Sequence, residues 1–227
     1  MNRLYMSAHS LNEQNILSLV APNPEARFLD LGCSDGTWTK VVAEKLGTRR
    51  VFGMEVVKDR VSQAREKGIE VRESDIGSAW PFEDSCMDVI HNNFVIEHLS
   101  DVDLFAREIH RVLSPGGYFI TATENGSSWH NIIAAVLGWQ PFSSTCMSTT
   151  RLGIGNPMAL HRGKPNIHPS ERHKVIFHYR GLLEFFGAHD FTDFSIRGAG
   201  YYPLPSFFGQ VDPRHSHFIA LKGRKRA

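Results

Sequence analysis

Three things are scarce in this chain of 227 residues: cysteine, long apolar runs, and an excess of either charge. The three cysteines, Cys33, Cys86 and Cys146, are far apart and show no Cys-x-x-Cys spacing, so neither a disulfide framework nor a zinc site is indicated. A reducing, cytoplasmic setting is therefore expected. The longest apolar run, around "IIAAVLGW", is far too short to span a bilayer, and the opening "MNRLYMSAHSLNEQ" has no apolar signal-like core. No transmembrane segment is expected, and peripheral attachment stays open. Lys plus Arg total 25 against 24 for Asp plus Glu, so no global charge argues for a nucleic-acid partner, and none is expected. Apolar material is plentiful at 41%, enough for one sizeable core.

The apolar residues are patterned. "ARFLDLG", "RRVFGME", "GIEVRESD", "CMDVIHNN" and "YFITATEN" read as short buried strands. Between them, "GTWTKVVAEKLG" sets Trp38, Val41, Val42 and Leu46 on one helical face, and "VKDRVSQAREKG" reads as a helix stopped at Gly68. "SDVDLFAREIHRVLSPGG" carries a Ser100-x-x-Asp103 capping pattern and sets Phe105, Ile109 and Val112 at helical spacing. Strand and helix alternating at this pitch predict a parallel α/β sheet with right-handed crossovers. The rhythm breaks after Asn125. Residues 126–174, rich in Gly, Ser, Thr, Pro and His, read as an insertion that caps the sheet. Alternation then resumes with a helix in "HYRGLLEFFGAHDF" and strands in "DFTDFSIRG" and "HSHFIALKG", around the aromatic "GYYPLPSFF". One α/β domain spanning residues 1–227 is expected.

The first strand-to-helix turn, in "FLDLGCSDGTWTK", occupies the switch point where ligands bind in such sheets. Gly32 and Gly36 let backbone approach a ligand, and the amides opening the next helix favour an anion. A dinucleotide site prefers Gly-x-Gly-x-x-Gly. Here Ser34 stands at the middle glycine, the third glycine is missing, and Asp30 and Asp35 would repel a pyrophosphate. The set suits a phosphate-free ligand bearing positive charge and one small anion, which describes S-adenosylmethionine (SAM). Glu55 closes the second strand roughly 20 residues on, where a carboxylate accepts from ribose hydroxyls in SAM and NAD sites alike. Asp75 with the Ile76 amide can read an adenine edge, and Asn92 or Asn93 can offer a carbonyl to an amino group.

"FLDLGCSDG", "GMEVVKDRVSQAREKG", "SDIGSAWPFEDSCMDVIHNNFVIEHL" and "EIHRVLSPGGYFITATEN" cover most of residues 28–125. In this combination the chain resembles the class I SAM-dependent methyltransferases, close to the broad type 11 group. The resemblance implies a Rossmann-like, seven-stranded, mostly parallel sheet with helices on both faces and an antiparallel last strand. By it, Asp30, Gly32 and Gly36 surround the methionyl part of SAM, Glu55 the ribose, Asp75 and Ile76 the adenine, and Asn92 the amino group. Each also has a bland reading as a cap, strand end or turn residue.

With the methyl group already activated, holding a nucleophile in line supplies most of the acceleration, and an alcohol acceptor also needs a general base. His98 in "VIEHL", beside Glu97, is the candidate base, with helix-start packing as its alternative role. His161, His168 and His173 have no recognised ligand spacing, so no metal is expected. Arg151, Arg162, Lys164, Arg172 and Lys174 outnumber Glu171 and make the insertion locally basic, so an anionic acceptor is expected at Arg162 and Lys164. Tyr201 and Tyr202 are candidate pocket walls, while Phe185 and Phe186 are expected in the core. The segment "GAGYYPLPSFFGQVDPRHSHF" more loosely resembles methyltransferases of cell-surface polysaccharide synthesis, which implies a glycan or other small-molecule acceptor. A lipid or quinone C-methyltransferase, a non-catalytic SAM-binding protein and an NAD-dependent oxidoreductase are the alternatives; the missing glycine counts against the last.

Overall fold

The computed structural model describes residues 2–148, 150–164 and 172–226, with Asn2 as backbone only. Its core is a seven-stranded sheet: β1 (Arg27–Leu31), β2 (Arg50–Glu55), β3 (Glu70–Glu73), β4 (Met87–Asn93), β5 (Leu113–Glu124), β6 (Phe191–Ala199) and β7 (Phe218–Lys225), in the spatial order β3-β2-β1-β4-β5-β7-β6. β1 to β5 run parallel, and β7 inserts antiparallel between β5 and β6. The chain order reverses at β1, whose Asp30 pairs with Gly53 on one side and His91 on the other, so the carboxyl ends of β1 and β4 frame the switch point.

Strand alternation sorts the core into two layers. Phe28, Val89, Ile120 and Ala220 face one side, packed by α1 (Asn2–Leu19), α2 (Thr37–Leu46) and α3 (Lys58–Glu66). Leu29, Leu31, Ile90, Phe119 and Ile219 face the other, covered by α4 (Val102–Val112) and α6 (Tyr179–Ala188). Phe186 is fully buried and Phe185 packs against the same layer, as expected.

Local details differ from the pattern reading. In α2 the buried positions are Thr39, Val42, Ala43 and Leu46; Val41 is exposed, since the helix turns one residue further than the apolar spacing suggested. α4 is capped by Asp101, whose carboxylate accepts from the Leu104 amide at 2.8 Å, in place of the Ser100 and Asp103 pair. The Pro-Gly-Gly stretch, expected to end the helix, lies within β5, where the register against β4 shifts between Met87 and Val89; α4 already ends at Val112. Helix α1 was not foreseen. Between β5 and α6 stand α5 (Trp129–Val136) and a 3₁₀ turn, Phe142–Ser144; beyond β6 come the short α7 (Phe208–Val211) and a second 3₁₀ turn, Pro213–His215. Among the described residues no helix is long and apolar enough to cross a membrane.

Candidate functional site

The turn after β1 is held by backbone geometry that glycine makes possible. Gly32 has φ +71°, and a Cβ there would lie 2.9 Å from Val95 Cγ2. Ser34, at the position where glycine is common in the family it resembles, also adopts positive φ, at 50°. Gly36 serves a different purpose from the one its sequence position suggested. It caps α2 in the left-handed region, and a Cβ would come within 2.5 Å of Ile69 Cδ1 and 3.1 Å of the Ala64 Cα, so its missing side chain lets α2 and α3 close together.

The acidic groups near the turn take distinct places. Asp35 points outward: its carboxylate meets Lys67 Nζ at 2.7 Å and caps the Thr37 amide, and the Lys67 ammonium, helped by Thr37, holds it well below the usual carboxylate range. It therefore adds no repulsion inside the turn. Asp30 is buried beneath the loop, accepting from Thr39 Oγ1 and lying 2.7 Å from His91 Nδ1, so both its oxygens are engaged within the protein. Burial, with the Asp30 and Glu55 carboxylates close by, pushes the Cys33 thiol up to about 12, which makes it a protonated packing group.

Glu55, at the tip of β2, accepts from the Val56 and Val57 amides through Oε1 and from the Ser34 amide through Oε2, at 2.9–3.0 Å. A carboxylate offers about four acceptor positions, so one ligand hydroxyl can join directly. A second would replace the Ser34 amide. Asp75 is exposed beyond β3 and accepts from the Gly77 amide, while Ile76 packs against the core with its carbonyl taken by Trp80 Nε1. Asn92 is fully buried; its carbonyl oxygen accepts from Thr121 Oγ1 at 2.6 Å, and its amide nitrogen has no partner. What Asn92 leaves unpaired is thus its amide nitrogen, where the sequence reading called for its carbonyl.

A second group stands at the tips of β4 and β5. Glu97 is buried, accepts from Thr123 Oγ1, and is pushed up to about 7 by burial. His98 Nδ1 meets the Arg172 carbonyl at 3.1 Å, and its ring stands edge-on to His173 at 5.1 Å. His173 Nδ1 lies 2.6 Å from the Ser143 carbonyl.

Beside this group opens a cavity of about 870 Å³, walled by α1, α5, the stretch up to Lys164, and Tyr202 with Pro203. Leu4, Ile133, Leu137, Trp139, Leu152 and Leu160 make most of the wall apolar. Glu124, His130, His173, Tyr202 and His217 supply its polar groups. His130 and His217 form a pair, Nε2 to Nδ1 at 2.8 Å; burial holds His130 at about 4 and His217 well below its usual value, so both rings are neutral near pH 7. Glu124 Oε2, Tyr202 OH and His217 Nε2 are buried without a hydrogen-bond partner, an expensive state for one wall to hold three times over. Of the sequence candidates, Lys164 and Tyr202 line this cavity. Arg162 is exposed and not among the lining residues, and Tyr201 is tied to Asp212 and Trp129 Nε1. Glu97 and His98 do not line it either; they stand behind His173. His168 and Glu171 lie outside the described residues. Sequence reasoning passed over Glu124, although it closes β5 in the way Glu55 closes β2; His217 carries no comparable signal, because its partner His130 is distant in the chain.

The residues at the switch point fit SAM. The turn is shaped by Gly32, a carboxylate with room for a hydroxyl stands at the second strand tip, and Asn92 holds an orphaned buried donor at the fourth. Comparisons agree. Residues 29–121 match the family model described as "Methyltransferase domain". A probable SAM-dependent methyltransferase of Mycolicibacterium smegmatis is 35% identical over 43% of this chain and 37% of its own length. A trans-aconitate 2-methyltransferase of Variovorax paradoxus is 29% identical over 66% and 59%. The chain thus spans roughly a third to three fifths of these relatives. A Thermotoga maritima structure described as a SAM-dependent methyltransferase, possibly acting on histamine, superposes over 99% of this chain and 94% of its own with a TM-score of 0.63 at 17% identity, which speaks to fold. Residues 29–121 are thus similar to a methyltransferase domain, and the sheet order and the switch-point turn agree with that likeness.

Proposed function

We propose that this protein methylates an acceptor with an apolar body and one polar head, a hydroxyl or an amine, seated in the 870 Å³ cavity. The observation that carries the reading is the trio of buried polar atoms without a hydrogen bond, Glu124 Oε2, Tyr202 OH and His217 Nε2, on residues of a mostly apolar wall. A head group that donates to Glu124 and bonds Tyr202 relieves them together, while a wholly apolar ligand leaves them unpaired. SAM, when bound, supplies a methyl group activated by its sulfonium. Gly32, Glu55, Asp75, Ile76 and Asn92 are the residues proposed to hold it, with Asp30 and Gly36 bracing the turn from beneath. Glu124 takes the proton of a hydroxyl head, and the apolar wall excludes water from it. Glu97 and His98, the bases suggested by sequence, act in this reading from behind His173.

Lys164 on the cavity wall favours a second reading, in which the acceptor also carries an anionic group. This keeps the charge of the glycan expectation without its polar body. A screen with methyl-labelled SAM separates them. Label in apolar hydroxyl or amine acceptors, falling about 100-fold or more in Glu124→Gln, supports the first reading. Label confined to anionic glycans overturns it in favour of the sequence expectation.

A further inference from the structure

The cluster behind the cavity wall has the composition and the supports of a metal centre. Glu97, His98 and His173 each offer one ligand atom, and these atoms lie within 4.8 Å of one another. Two imidazoles and a carboxylate make an N₂O set of the kind that suits zinc and neighbouring divalent ions. The three residues come from two separate places. Glu97 and His98 sit on the 3₁₀ turn Ile96–His98 after β4, while His173 returns from the far end of the stretch that follows α5.

The supporting contacts supply a second, independent observation. His98 Nδ1 meets the Arg172 carbonyl and His173 Nδ1 meets the Ser143 carbonyl. A carbonyl can only accept, so each of these bonds is donated by an Nδ1–H. That is the arrangement by which backbone carbonyls orient metal-ligating histidines. Glu97 is braced by Thr123 Oγ1, and its own carbonyl receives the Lys174 and Val175 amides, which pins the stretch after His173 against it.

We propose that Glu97, His98 and His173 bind one divalent ion of the zinc class. Ligand atoms about 2.0–2.1 Å from a tetrahedral zinc stand roughly 3.3 Å apart, so side-chain rotation has to close the present spacing by about 1.5 Å at most. The three ligands among the described residues leave a tetrahedral ion one position short. His173 is also on the cavity wall. The proposal departs from the sequence expectation of no metal because His173, 75 residues on and without a motif spacing, is brought to Glu97 and His98 only by the fold.

The test uses the full chain, stripped with chelator and titrated with zinc chloride by calorimetry and with cobalt chloride by visible absorption. One ion per chain, the d–d absorption of four-coordinate cobalt, and binding weakened at least tenfold in His98→Ala and His173→Ala are expected, with His161→Ala unchanged. Stoichiometric binding that survives both histidine variants, or no binding to the wild type, overturns the proposal. Should either variant fail to fold, the wild type still decides: zinc must protect His98 and His173 from diethyl pyrocarbonate, read by peptide mass, and equal modification with and without zinc refutes the site. Stabilisation by S-adenosylhomocysteine is measured on the same stripped protein, so loss of the metal inference leaves the methyltransferase reading separately scored.

Discussion

At the scale of single residues, two glycines separate two costs that sequence alone merges. Gly116 has φ +75° with nothing within 4 Å of an added Cβ, whereas Gly36 has φ +80° and would bring a Cβ to 2.5 Å from Ile69 and 3.1 Å from the Ala64 backbone. Alanine at Gly116 bears only the left-handed penalty, about 1–2 kcal/mol. Alanine at Gly36 adds overpacking of about 1–3 kcal/mol, for roughly 2–5 kcal/mol in all. Urea unfolding of the two variants checks this; equal destabilisation would mean that α2 and α3 are not in contact through Gly36. The same residues show what could be read in advance. Glu55, Asp75 and Asn92 were found because strand tips are marked by period-2 apolar runs ending in polar residues. The partners of Glu55 and Asn92 were not legible, because the Ser34 amide and Thr121 reach them around the turn or across the sheet, and no local pattern encodes such contacts.

Among the elements, helix caps and helix faces follow from local chemistry, and both corrected readings lie there. Asp101 caps α4 and Ser100 does not, so Asp101→Ala is expected to cost about 1 kcal/mol, and Ser100→Ala to stay within about 0.5 kcal/mol, in thermal or urea denaturation. The reverse ranking would restore the Ser100 cap. Helix α1 escaped notice for a physical reason: the side it buries includes Ala8, Asn12 and Asn15 beside Ile16 and Leu19, so its inward face is not marked by hydrophobicity. Asn15 donates to the Gly198 carbonyl and Asn12 to Asn93, which means that the polar residues are inward-facing ties to β6 and β4. The strands and α2 to α4, by contrast, were legible from alternation and from 3.6-residue spacing, since each turns an apolar face to one of the two core layers. The cavity was not, because it is assembled from α1, α5 and the chain around Tyr202, three places with no shared periodicity.

For the whole molecule, the buried histidine pair links stability to pH. His130 stands at about 4 in the folded chain against an ordinary value of 6.5, with neutral His217 as its neighbour and Tyr202 and Phe142 packed on its ring. As pH falls the unfolded chain takes the proton first, so the stability is intact above about 6.5 and drains away between about 6.5 and 4, by about 3 kcal/mol for His130. Urea midpoints between pH 7.5 and 4.5 should drop accordingly, and His130→Asn should flatten that slope; an unchanged slope in the variant would place the titration elsewhere. The larger claim is that the carboxyl edge of this sheet holds SAM. Thermal unfolding with S-adenosylhomocysteine, the demethylated product, tests it most directly. At about 100 times the dissociation constant a ligand specific for the folded state adds about 2.7 kcal/mol, which for a domain of this size is a rise of roughly 5–10 °C. The account predicts that rise, its loss in Glu55→Ala, and no response to NAD. Stabilisation by NAD with indifference to S-adenosylhomocysteine would contradict it.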